Sequence, residues 1–188
     1  MFSVDSGKKL FSYAVAACGV FALATVAAAL QTPSYRFLLD YLSDLGVGQG
    51  AAWFNAGLAA TAALLALFFL KFSEFFGRSL FSRPALAAGV LSAIALGGVA
   101  IFPENVEPHH AAFATAFFLL SLLSVALHSI LLLKQKMLSR TTAFAALSHL
   151  NLTLALLFTQ FPAIQLLTVI FFGAWLLFAA KTFSSRAS

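Results

Sequence analysis

Residues 111–133 read AAFATAFFLLSLLSVALHSILLL, twenty-three positions without one Lys, Arg, Asp or Glu. As a helix rising 1.5 Å per residue this stretch is about 35 Å long, enough to cross a hydrocarbon core of about 30 Å. A surface helix of a soluble domain would carry a charged face, and this one has none. Three comparable apolar blocks precede it, at 10–30, 51–70 and 84–102, and two follow, at 142–158 and 164–180. The expected fold class is therefore all-α: a polytopic membrane protein, one six-transmembrane-helix bundle spanning residues 1–188. The shortest block, 142–158, carries His149 and Asn151, and the turn Thr159–Gln160–Phe161–Pro162 after it predicts a helical hairpin with the last block.

Composition agrees with the pattern. Of 188 residues, 62% are hydrophobic and 9% charged, against about 25% charged in ordinary soluble domains. Six spans leave only short connections, so any site must be built from helix walls and loops. The formal charge of +5 does not make a nucleic-acid protein, because the basic residues are scattered between apolar blocks instead of gathered on one solvated face. The single cysteine, Cys18, excludes an intramolecular disulfide and a cysteine-based metal site. Lys8 and Lys9 before the first block resemble a secretory signal, but the apolar run exceeds the usual 7–15 residue signal core. A retained helix is expected.

Orientation follows from the basic residues, since short cytoplasmic loops are enriched in Lys and Arg. With both termini inside (N-in/C-in), the inner segments hold Lys8, Lys9, Lys71, Arg78, Arg83, Lys134, Lys136, Arg140, Lys181 and Arg186, and the outer loops hold only Arg36. The expected location is a bacterial or archaeal cytoplasmic membrane with both termini cytoplasmic. Acidic residues have the opposite bias: Asp40, Asp44, Glu104 and Glu107 fall outside, Asp5 and Glu74 inside. Carboxylates contribute little to orientation, so their outer concentration marks that face as the place to look for chemistry.

In the first outer connection, QTPSYRFLLDYLSDLGVGQGAAWFN at 31–55, Arg36, Asp40 and Asp44 recur every fourth residue, which predicts all three on one side of a helix ended by Gly46, Gly48 and Gly50. Two readings stay open. In one the helix lies in the headgroup zone with Arg36 paired to Asp40; in the other Asp44 points into a pocket beneath the loop. Asn55, one turn into the second span, needs a hydrogen-bond partner at that depth. It either ties helices together or lines the pocket with Asp44.

The second outer connection, GGVAIFPENVEPHHAAF at 97–113, gathers Glu104, Glu107, His109 and His110 between Pro103 and the fourth span. Histidine with carboxylate is the composition of an acid/base pair, a proton relay or a divalent-metal site, and equally of a wet loop. Adjacent histidines diverge by about 100° on a helix, so only one readily faces a given pocket. No HExxH or serine elbow accompanies them, and the sequence names no cofactor. If a metal is held there, its ligands come from Asp44, Glu104, His109 and His110. Inside the membrane, His128 on the fourth span and His149 with Asn151 on the fifth are expensive to bury and therefore functional candidates. They fit either a bis-histidine haem or neutral imidazoles hydrogen-bonded across helices with Ser124, Ser148 or Asn151.

The motifs YLSDLG at 41–46, FNAGL at 54–58 and GGVAIFP at 97–103 followed by His109–His110 resemble the membrane family described as domain of unknown function 998, itself similar in outline to the DRAM/Frag-like membrane proteins. The resemblance covers about residues 10–180 in hydropathy. It carries over Ser43, Asp44, Leu45, Gly46, Asn55, Phe102, Pro103 and one of His109 or His110, and it implies fold and site location without naming a reaction.

The leading functional expectation is an outward-facing polar pocket that binds or modifies a lipid or other amphipathic small molecule. As an enzyme it would use His109 or His110 as general base or metal ligand, with Asp44 orienting it. Arg36, Asp40, Ser43, Asn55 and Glu104 would contact substrate. The alternatives are a structural or accessory membrane subunit, a small transporter or proton-coupled carrier using His128, His149 and Asn151, and the haem protein. Expected partners are membrane lipids, and a second copy or another membrane subunit.

Overall fold

In hydrocarbon no water satisfies a backbone N–H or C=O, so an apolar run there must pair these groups within itself as a helix. The structure, a computed structural model, describes residues 4–77 and 79–185 and has six such helices. They are α1 (Val4–Leu30), α2 (Ala51–Ser73), α3 (Ser82–Ile101), α4 (His109–Lys134), α5 (Arg140–Thr159) and α6 (Pro162–Ser184). All six are long and apolar enough to cross a membrane, and no strand occurs among the described residues. The chain is an integral membrane protein. Arg78 and Arg186, counted above among the inner basic residues, lie outside the described residues.

Each helix packs on the one before it, and α6 returns to α1, closing a ring whose sparsest junction is α4 against α5. The start of α1 meets the end of α6: a Cβ on Gly7 would lie 2.5 Å from the Phe183 carbonyl oxygen. The start of α1 and the end of α6 therefore share one end of the bundle, the terminal end. The opposite end is capped by residues 31–50, which include a short 3-10 helix (Leu42–Gly46), by the α3–α4 connection and by the α5–α6 turn.

Toward the terminal end the core is aromatic. Phe68, Phe69, Phe72 and Trp175 are fully buried. Phe72 sits at the centre, 4.9 Å from the His128 ring and 6.0 Å from Trp175, and the Trp175 indole donates to Ser129 Oγ at 3.2 Å, joining α6 to α4. Large apolar side chains such as Leu23, Ile101, Phe144 and Phe158 face outward, as a lipid-solvated surface requires.

Close helix approach rests on small residues. A Cβ on Gly57 would lie 2.0 Å from the Ala24 Cβ of α1, whereas a Cβ on Gly19 meets nothing within 4 Å. Gly57→Ala is expected to destabilise the bundle by about 1–3 kcal/mol through overpacking, and Gly19→Ala to leave it unchanged or slightly stabler. Apparent melting temperatures of the two variants in detergent check this; equal losses would contradict the packing.

Candidate functional site

The first connection is not the helix that the four-residue spacing of Arg36, Asp40 and Asp44 predicts. Residues 31–41 form turns, because each aspartate captures a backbone amide that a helix would have used. The Asp40 carboxylate accepts the Arg36 N–H at 2.7 Å and also its guanidinium at 2.9 Å; the Asp44 carboxylate accepts the Tyr41 N–H at 2.9 Å and caps the 3-10 helix. Short acidic side chains compete with the helical ladder in this way. Arg36 and Asp40 therefore form an exposed pair apart from Asp44, and the Arg36 guanidinium holds the Asp40 carboxyl below the usual carboxylate range.

Three bonds pin the 3-10 helix across the helix ends. Asn55 Nδ2 donates to the Gly46 carbonyl at 3.0 Å, Gln165 Oε1 accepts the Leu42 N–H at 2.7 Å, and the Tyr41 hydroxyl donates to the Gln160 carbonyl. Asn55 thus anchors the segment carrying Asp44. Gly46 leaves room for this bond, since a Cβ there would lie 2.9 Å from Asn55 Oδ1 and push the side chain aside.

This placement sets Ser43 and Asp44 against Glu104 of the α3–α4 connection. The Glu104 carboxyl is half-buried beside Asp44 and Ser43, and the Asp44 carboxylate adds negative charge to its surroundings. Burial first, then the neighbouring Asp44, push Glu104 up to about 7. Nearby, burial together with Asp44 and Asp40 pushes the Tyr35 phenol up to about 12.

The two histidines part as their helical spacing requires. His109 is exposed, stacked on Phe102 at 5.2 Å. His110 is buried, and its Nδ1–H donates to the Phe102 carbonyl at 2.9 Å. That bond fixes the tautomer and leaves Nε2 as the acceptor. The ring lines a small cavity of about 50 Å³ with Ser43 and Gln165. Among the described residues no group of three or more His, Cys, Asp and Glu side chains converges for a metal, so Asp44, Glu104, His109 and His110 are not assembled as a ligand set.

Beside the carboxyl pair, a cleft of about 480 Å³ opens between α4 and α5. Ser43, Glu104, Gln160 and Gln165 line its polar side, and Ala114, Phe118, Leu156 and Leu157 its apolar side. Gln160 and Gln165 escaped the sequence reading, one as a turn residue and the other as a single polar position inside an apolar block. The signal available was the depth of Gln165, where an amide needs a partner.

The intramembrane residues do not converge. His128 Nδ1 donates to the Ser124 carbonyl at 2.9 Å, its ring between Phe69 and Phe72. His149 Nδ1 donates to the Thr168 carbonyl of α6 at 3.1 Å, and its Nε2 lies 3.4 Å from Ser121 Oγ. Asn151 is exposed and bonds Leu147 of its own helix at 2.7 Å, so neither it nor Ser148 assists His149. With aromatic rings over His128 and both nitrogens of His149 engaged, the pair does not fit a haem.

The sequence pattern of the family described as "Protein of unknown function (DUF998)" matches residues 15–181. The chain belongs to the DUF998 family. No curated protein and no solved structure matches it. In this DUF998 chain the motif residues meet at the capped end: Gly46 bonds Asn55, Phe102 bonds His110, and a Cβ on Gly46 would contact Pro103 at 3.7 Å.

The folded chain keeps on Glu104 a proton that the unfolded chain gives up near the ordinary value of 4.5. The stabilisation from this group is therefore complete below about pH 4.5 and is lost as pH rises to about 7. Melting temperature in detergent is expected to fall across that window in the wild type and to fall less in Glu104→Gln. Parallel profiles would contradict the raised Glu104 carboxyl.

Proposed function

We propose that this DUF998 protein binds a membrane-resident amphipathic molecule in the α4–α5 cleft, with the capped end facing outward. The observation that carries the reading is the cleft's division into a hydrogen-bonding side at Ser43, Glu104 and Gln165 and an apolar side at Phe118, Leu156 and Leu157. Its volume of about 480 Å³ falls within the roughly 300–1,000 Å³ typical of small-molecule sites. No Lys or Arg lines it, so an anionic head is disfavoured; a hydroxyl-bearing head matches a protonated carboxyl, a serine and two amides. Any chemical step on the ligand would use Glu104 as proton donor with Asp44 beside it, because His110 spends its Nδ1–H on Phe102.

Outward orientation rests on the position of the basic residues. Lys8, Lys9, Lys71, Arg83, Lys134, Lys136, Arg140 and Lys181 lie at the terminal end, and Arg36 at the other. A structural or accessory role is the second reading, favoured by the way Asn55, His110 and His149 each close a bond within the chain. The transporter reading draws no support from His128, His149 and Asn151, which share no bond.

A monoacylglycerol bearing a diazirine in its chain, added to the reconstituted protein, is expected to label α4 and α5. Glu104→Ala and the cleft-filling Thr115→Trp should each lower labelling roughly tenfold, the scale of one or two lost hydrogen bonds or a blocked site. Labelling that neither variant changes would overturn the binding reading in favour of the accessory one. For orientation, a reporter active only outside the cytoplasm and fused after Arg140 should stay silent; activity there reverses the assignment.

A further inference from the structure

The terminal end has a second cleft, of about 520 Å³, between the α4–α5 turn and the last turns of α6. Lys136, Lys181, Ser139, Thr141 and Thr182 supply its polar wall; Met137, Leu138 and Phe178 supply its apolar wall. Lys136 reaches it because the chain leaves α4 through a left-handed residue, φ 56°, in a turn held by the Met137 N–H on the Leu132 carbonyl at 2.8 Å. The Gln135 side chain ties the same turn to the Phe75 carbonyl at 2.9 Å.

Neither lysine takes part in an ion pair among the described residues, whose two pairs are Arg36–Asp40 and Lys71–Glu74. The acids of this end, Asp5 and Glu74, do not line the cleft. Helix α5 begins here, with Ser139 accepting the Thr142 N–H at 3.1 Å, while α4 and α6 end here, so the helix dipoles largely offset and the two ammonium groups carry the positive charge. The cleft sets two ammonium groups beside a hydroxyl-lined and an apolar wall, with no carboxylate among its lining residues. Phe178 is exposed and continues the apolar wall toward the outer surface of the bundle.

We propose that this cleft holds the phosphate of an anionic membrane phospholipid, gripped by Lys136 and Lys181 beside Ser139 and Thr141, its acyl chains lying along Leu138 and Phe178. A free phosphate would use the same cationic wall but would leave the apolar wall without a role. The site is independent of the α4–α5 cleft at the other end.

Native mass spectrometry of the delipidated protein in neutral detergent, titrated with phosphatidylglycerol or phosphatidylcholine, tests the proposal. The wild type should prefer phosphatidylglycerol, and the double substitution Lys136→Gln/Lys181→Gln should weaken that preference roughly tenfold or more. Lys136→Arg/Lys181→Arg should keep it, as should Lys8→Gln/Lys9→Gln, which removes the same charge from the same end outside the cleft. Inorganic phosphate at equal concentration should not displace the lipid. An unchanged preference in the cleft variant, an equal loss in the Lys8/Lys9 variant, or displacement by inorganic phosphate would each overturn it.

Discussion

A backbone N–H or C=O without a partner at the edge of hydrocarbon costs several kcal/mol, and residues 31–50 must cross the bundle there with only a short 3-10 helix of their own. Side chains supply what the helical ladder does not. Asp40 and Asp44 accept amides of their own turns, Gln165 takes the Leu42 N–H, and Asn55 takes the Gly46 carbonyl. The rest of the capped end depends on these bonds. Once the segment is laid against α2 and α6, Ser43 and Asp44 lie beside Glu104 of the α3–α4 connection, and burial with the Asp44 charge raises its carboxyl.

The same requirement explains what was legible in the sequence. In lipid an apolar run of about 20 residues has one backbone solution, so six helices could be read with small differences at their ends. The capped end obeys no such rule. An aspartate four residues from a basic partner serves equally as a helix-face pair or as a turn cap, and Asp40 and Asp44 took the second role. Asn55 could be recognised as needing a partner, but not that the partner was the Gly46 carbonyl nine residues earlier. Which of His109 and His110 turns inward depends on where α4 begins, and Gln165 was hidden by the apolar residues around it. Asn151 fell on the opposite face of α5 from His149, a separation of about 200° that two helical positions impose.

The two ends of the bundle are built from different materials. Around Phe72 the terminal half is a dry aromatic nucleus in which His128 is packed as one more ring. The capped half carries smaller cavities, a buried histidine and the carboxyl pair. The junction that packs least, α4 against α5, opens beside that pair. The proposed ligand binding rests on these polar groups gathered at the sparsest seam; the DUF998 assignment names no reaction.

Burial and the neighbouring Asp44 raise the Glu104 carboxyl to about 7. Isotope-edited infrared titration of protein carrying ¹³C-carboxyl glutamate, with Glu104→Gln as the subtraction reference, reads its proton directly. The expected result is a protonated carboxyl band that persists until the pH approaches about 7 and moves to lower pH in Asp44→Asn. Loss of the band at the ordinary glutamate value of 4.5, with no response to Asp44→Asn, would contradict it.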